Sequence, residues 1–342
     1  MPQTPASSPL IWKPVILYIV EASAWLAVVY TINTMLVHAG DFPGLFGMLK
    51  ALGMSTLDAQ PPSNGLHWAV GSIQLASYAL ALIWPLQQNK SYGSQTLTEC
   101  KERMSECASY IVAAAFFAVV LIGLVDAIIS FLRVENLFVP LFGEALDQQM
   151  GRAVTRGMYV QMPLLALSFV LALMLRGQAF VWLASMVVLS ELTIVVSRFV
   201  FSYEQAFMGD LVRFWYAGLF LFASAYTLLH DGHVRVDVLY ARFSEQAKAR
   251  TNIFGSLLLG LPLCWAILLR GLWSKSSMIS SPLTNFEISQ SGAGMFVKYL
   301  MAGFLLIFVL SMLFQFAGFV ADYLRRFESD FEPEEAPTPV AH

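Results

Sequence analysis

Long runs of hydrophobic residues recur along the chain, and short polar segments separate them. A helix needs about 20 mostly apolar residues to cross the hydrocarbon core of a bilayer. Runs of this kind predict eight transmembrane helices, over residues 14–37, 66–86, 109–132, 158–175, 179–201, 208–229, 253–273 and 296–320. The strands of a transmembrane barrel would instead alternate apolar and polar residues over about ten positions. The pattern therefore predicts an all-α fold, a polytopic membrane helix bundle.

The fourth run is the weakest of the eight. It is short, and only Arg176, Gly177 and Gln178 separate it from the fifth run. A re-entrant segment, which enters and leaves on the same side, would explain this spacing and would leave seven spans. After the last run, residues 327–342 contain several acidic residues and prolines. Such a segment cannot bury a core, so this acidic tail is predicted to be disordered.

The composition supports a membrane location. Hydrophobic residues make up 57% of the 342 residues and charged residues only 13%, whereas soluble domains carry about 25% charged residues. The excess apolar surface must therefore face lipid or other helices. The net charge of −3 argues against nucleic acid as a partner, because nucleic-acid binding requires a basic surface. The cysteines Cys100 and Cys107, in a polar loop, and Cys264, in an apolar run, form neither a disulfide framework nor a zinc pattern.

The distribution of Lys and Arg predicts the orientation, because cytoplasmic loops are enriched in both residues. Lys50, Arg152, Arg156 and Lys275 fall in the loops on the side opposite the N-terminus. The loops on the N-terminal side hold more basic residues: Lys90, Lys101, Arg103, Arg176, Arg235, Arg242, Lys248, Arg250, Arg325 and Arg326. This bias predicts that the N- and C-termini are both cytoplasmic.

Few ionisable residues fall inside the predicted spans, where they are costly and functional by default. Asp126 and Glu191 are the acidic residues that we assign to intramembrane charge pairing, within this chain or between subunits. A substrate site would more often show broken helices with paired polar groups at the middle of the bilayer. These charges are therefore expected to have a structural role rather than to couple an ion.

The densest polar segment follows the sixth run and reads HDGHVRVD from His230 to Asp237. Two histidines three residues apart, with aspartates beside them, could ligate a metal. One hypothesis for the function is therefore a membrane redox or metal enzyme subunit that uses His230 and His233. It is kept below as the alternative to the function that a family resemblance implies. In the other interpretation, Gly232 permits a turn after the helix, and Arg235 and Asp237 lie on one side of an extended strip. Arg235 could then pair with Asp237, a lipid phosphate or the end of a partner helix.

The stretch from His230 to Tyr240, HDGHVRVDVLY, resembles the signature of the small permease subunits of tripartite ATP-independent periplasmic (TRAP) transporters. Its surroundings agree: RFVFS from Arg198 and DLVR from Asp210 resemble the end of the first and the start of the second helix of that family. Lys298, followed by a Gly-Phe pair, resembles the fourth helix. The resemblance makes the following residues candidates for subunit contact: Arg198, Asp210, Gly232, His233, Arg235, Asp237 and Lys298.

The resemblance covers about residues 177–326, which are expected to form a four-helix membrane domain, while residues 1–176 are an extension of about four further spans. It implies a non-catalytic scaffold subunit in a bacterial inner membrane, without a cofactor. The partners that it implies are a large TRAP permease subunit, which carries the solute, and a periplasmic solute-binding protein. It further implies symport driven by an ion gradient without ATP, with an organic acid as the solute.

Overall fold

Long apolar helices dominate the computed structural model. It describes residues 12–56, 59–90, 92–175, 179–204, 206–229, 238, 240–288 and 294–328. Helices account for all the regular secondary structure of these residues, and none of them lies in a strand. The long and short α-helices are α1 (Trp12–Gly40), α2 (Gly44–Ala51), α3 (Gly65–Gln88), α4 (Ser94–Val134), α5 (Phe138–Phe142), α6 (Glu144–Met150), α7 (Ala153–Met174), α8 (Ala179–Phe201), α9 (Met208–Leu229), α10 (Glu245–Leu272), α11 (Ser280–Asn285) and α12 (Lys298–Glu328). Helices α7 and α10 each include one π-helical turn, and a 3-10 helix spans Tyr240–Arg242.

Eight of the described helices are long and apolar enough to cross a membrane, namely α1, α3, α4, α7, α8, α9, α10 and α12. This finding confirms the predicted all-α membrane bundle of about eight spans. The fourth span, α7, contains 22 residues, which is long enough to cross the hydrocarbon core and favours the eight-span interpretation over a re-entrant segment. The acidic tail predicted for 327–342 lies outside the described residues, apart from Phe327 and Glu328, which end α12.

Helices α4 and α12 form the centre of the bundle. They pack against each other, and α4 also contacts α7, α8 and α9, whereas α12 contacts α1, α9 and α10. Small residues make the approach of α9 to α4 possible: a Cβ atom added to Gly123 would overlap the indole of Trp215. That indole is buried, and its Nε1–H donates to the carbonyl oxygen of Val119 at 3.0 Å. Close packing over small residues is typical of helix pairs in membranes.

Two hydrophobic clusters fill the bundle, and both draw on α4 and α12. The first adds side chains of α1 and α10, such as Leu17 and Leu268. The second adds side chains of α8 and α9, such as Leu183 and Phe214. Each cluster therefore contains residues from both sides of position 176, where the sequence predicts the end of the N-terminal extension.

Two expectations about loops were wrong. Helix α4 begins at Ser94, so Cys100 and Cys107 lie in a helix rather than in a polar loop, and Cys100 is buried. The first turns of α4 are amphipathic, and they bury Leu97, Cys100 and Met104 along one face against the first hydrophobic cluster. Arg156, assigned to an outer loop, instead lies in α7 with no exposed surface, because a buried carboxylate faces it.

Candidate subunit-contact site

The central motif of the predicted contact site, Gly232, His233, Arg235 and Asp237, lies outside the described residues. His230, which the metal alternative also requires, lies outside them too. Among the residues that the structure does describe, no group of three or more His, Cys, Asp or Glu side chains is placed to hold a metal.

The residues that follow the motif pack on the start of α10. The hydroxyl of Tyr240, the last residue of the motif, accepts a hydrogen bond from Asn252 Nδ2 at 2.6 Å. Ser244 caps α10, because its Oγ accepts the backbone N–H of Ala247 at 3.3 Å. A serine at this position satisfies a backbone donor that would otherwise lack a partner in the first turn. The end of the motif is thereby fixed to the entrance of the seventh span.

Asp210 and Lys298 lie at neighbouring helix starts and hold the segment that leads into α12. Asp210 is in the first turn of α9, where a carboxylate is favoured by the helix dipole. Its Oδ2 accepts the backbone N–H of Met295 at 3.3 Å, and its Oδ1 lies 3.8 Å from Arg213 Nη1. Lys298 begins α12 and pairs with Glu287 at 2.6 Å, with both side chains about half exposed. Asp210 and Lys298 therefore make their contacts within this subunit, where they hold the segment before α12 in place.

Glu191 and Arg198 point away from the bundle. Both lie on α8, and both are exposed. Neither forms an ion pair or a side-chain hydrogen bond with another residue in the described part of the chain. The structure therefore does not bring these two residues together with Asp210 and Lys298 in one cluster.

Asp126 is the centre of a buried polar network that joins α4, α7 and the entrance of α12. Its Oδ1 accepts from Gln161 Nε2 at 2.9 Å, and its Oδ2 accepts from the backbone N–H of Phe296, also at 2.9 Å. The guanidinium of Arg156 lies 3.4 Å from the carboxylate and 4.6 Å from the centre of the Phe296 ring. Tyr299 donates to the other end of the Gln161 amide. The carboxylate thus has a cation and two further donors as partners.

A second set of buried carboxylates lies at the opposite end of α4. Glu21 of α1 has no exposed surface and accepts from Arg103 at 2.6 Å and from Asn89 at 2.7 Å. Near it, Asp322 of α12 accepts from Lys101 at 2.9 Å. Arg325 and Arg326 of α12 also contact the Asp322 carboxylate. Both ends of α4 are therefore tied to other helices by ionic contacts.

Arg156 and Gln161 were not predicted from the sequence as parts of the network around Asp126. A usable signal was present, since a buried acidic residue in a span requires a cation and Arg156 directly precedes a predicted span. The partner of Glu21, Arg103, was likewise counted only among loop charges. The signal here was the spacing of Leu97, Cys100 and Met104, which indicates that the helix begins before the apolar run.

Comparison with known proteins gives a match in the same part of the chain as the resemblance described above. Residues 186–326 match the family model described as "Tripartite ATP-independent periplasmic transporters, DctQ component". The match contains most of α8, all of α9, α10 and α11, and nearly all of α12. No curated protein and no solved structure showed significant similarity to the chain. The family is one of transporter components rather than enzymes, and nothing supports the metal-enzyme alternative. Residues 186–326 therefore match the DctQ component of TRAP transporters, and the apolar helices that precede residue 186 are consistent with an N-terminal multi-span extension.

Proposed function

We propose that this chain is the scaffold subunit for ion-gradient-driven, binding-protein-dependent uptake of an organic acid. The observation that carries the proposal is the match of residues 186–326 to the DctQ family. In TRAP systems this component works with a large permease subunit and a periplasmic binding protein, and we propose the same partners for this chain. We propose a bacterial inner membrane as its location, because the family match suggests one. The distribution of Lys and Arg favours an orientation with both termini in the cytoplasm.

The pairing of the buried carboxylates supports a scaffold rather than an ion-carrying role. Glu21, Asp126 and Asp322 each face at least one cation and one further hydrogen-bond donor. A carboxylate that binds a transported ion must exchange its partners during each cycle, whereas these pairs join helices. Removing one partner of a buried pair is strongly destabilising. We propose that these networks keep the subunit rigid while the large subunit moves.

We propose that residues 1–176 widen the scaffold instead of forming a separate unit. In this proposal residues 177–326 form the family domain, and the extension packs directly against it. The packing of α4 supports this view. That helix belongs to the extension, yet it contributes to both hydrophobic clusters. Its two ends take part in the networks around Asp126 and Glu21.

We propose that the motif residues Gly232, His233, Arg235 and Asp237 contact the large subunit at the cytoplasmic surface. Charged side chains at such an edge can hold a partner helix end through charge-assisted hydrogen bonds. Asp210 and Lys298 lie at the other end of α9 from the motif, where they hold helix starts within the subunit.

The proposal is tested by affinity purification of the tagged full chain from membranes that also contain the large subunit and the binding protein. We expect the large subunit to be recovered in stoichiometric amounts, and organic-acid uptake by the cells to be lost when this chain is deleted. Recovery of the chain alone, together with normal uptake in the deletion strain, would contradict the proposed function.

A further inference from the structure

The position of Glu191 in α8 is unusual for a charged residue. The apolar part of this helix runs from Val181 to Phe201, and Glu191 is equally far from both ends. At a rise of about 1.5 Å per residue, roughly 15 Å separate it from each end. That distance is about half the thickness of a bilayer hydrocarbon core. A glutamate side chain is too short to reach water from this depth, so the carboxyl must find its partner inside the membrane.

No such partner comes from the described part of this chain. Glu191 is exposed, as are Val188 and Val195 one helical turn away on either side. Among the eight candidate spans, α8 is the least buried. The contrast with Glu21 and Asp126 is direct, because both of those carboxylates are fully buried and each faces an arginine.

An ionisable residue in a span is expected to face protein or a water-filled cavity rather than lipid. We infer that the Glu191 side of α8 docks against a transmembrane helix of the large subunit that carries a Lys or Arg at the middle of the bilayer. This inference rests on the proposed function, since it takes the large subunit as the partner. Beyond that function, it specifies which surface of this chain contacts the large subunit and which kind of residue the contacting helix carries.

The same side of α8 carries a second charge. Val188, Glu191, Val195 and Arg198 follow one another at intervals of three or four residues, which places them along one side of a helix. Leu183 and Ser190, on another side, are buried in the bundle. A partner helix that matches this pattern carries a basic residue at mid-depth and an acidic residue or a helix C-terminus opposite Arg198, near the membrane edge. Two opposite charges about two turns apart would fix the register of the pair.

Affinity purification of full-length variants with the large subunit tests the inference. Glu191→Gln keeps the shape of the side chain and removes the charge, and Glu191→Lys reverses it. We expect recovery of the large subunit to fall at least tenfold for Glu191→Gln and further for Glu191→Lys. Leu189→Gln is the matched control, because Leu189 is 54% exposed, lies at nearly the same depth and points to the opposite flank of α8. It should leave recovery unchanged. Membrane levels and gel-filtration profiles show whether each variant folds.

Photo-cross-linking identifies the occupant of the surface. A photoreactive phenylalanine derivative at Val195 should cross-link to the large subunit, whereas the same group at Leu189 should not. Replacing the basic residue of the cross-linked helix with glutamate should restore recovery with Glu191→Lys. Unchanged recovery with Glu191→Gln, or a cross-link from Val195 to a second copy of this chain, would overturn the inference and leave the proposed function intact. If the wild-type chain recovers no large subunit, the proposed function falls and this inference falls with it.

Discussion

Replacing Asp126 with asparagine is expected to destabilise the fold strongly, because it leaves Arg156 as an unpaired buried charge. Both side chains are at least 99% buried, and the carboxylate also accepts hydrogen bonds from Gln161 and from the backbone of Phe296. Asparagine keeps one acceptor oxygen but turns an amide NH₂ toward these donors. Breaking a buried ion pair by removing one partner costs about 3–5 kcal/mol, and we expect a loss of this size here.

The measurement is the free energy of unfolding of the purified chain in mixed micelles. Glu287→Gln is the matched control, since it breaks the half-exposed pair with Lys298 and should cost about 0–1 kcal/mol. Combining Asp126→Asn with Arg156→Met should recover much of the loss, because the double variant has no unpaired buried charge. The reasoning is refuted if Asp126→Asn costs no more than the control, or if the double variant is as unstable as the sum of the single variants.

Three further predictions concern packing, the motif and the topology. Gly123→Ala should cost about 1–3 kcal/mol, because the new methyl group overlaps the indole packed between α4 and α9; Gly209→Ala, which meets open space, should not destabilise the chain in the same unfolding assay. Arg235→Lys should weaken co-purification of the large subunit nearly as much as Arg235→Ala if the arginine forms a forked contact with a carboxylate or helix end; equal recovery with arginine and alanine would exclude that contact. In a background without the native cysteines, an impermeant thiol reagent should label Ser276→Cys but not Gln246→Cys in intact cells; the reverse pattern would show that the proposed orientation is wrong.

The membrane fold could be predicted from the sequence because a bilayer imposes a strict length and polarity on each span. The predicted second, fifth and sixth runs agree closely with α3, α8 and α9. The start of α4 could not be predicted in this way. Its first turns contain charged residues that a search for apolar runs reads as a loop, although their buried face packs on α1 and α12.

Part of the candidate site could be predicted from the sequence. The types of residue at the site were predictable, but the residues that they contact were not. The sequence showed that Asp126 and Glu191 are acidic residues inside spans, but it could not show that one is buried and the other exposed. Asp126 pairs with Arg156, 30 residues away, only because α7 packs beside α4. The direction in which Glu191 points depends on which side of α8 the bundle covers. Both properties are set by helix packing, which short-range sequence patterns do not encode.

Reconstitution into proteoliposomes shows whether solute transport requires this chain. Vesicles that contain this chain and the large subunit, with the binding protein and a radiolabelled organic acid outside, should accumulate the solute when an ion gradient is imposed and ATP is absent. Vesicles that lack any one of the three proteins should not accumulate it. Solute accumulation in vesicles that contain this chain alone, or undiminished accumulation in vesicles that lack it, would contradict its assignment as the scaffold subunit of a TRAP transporter.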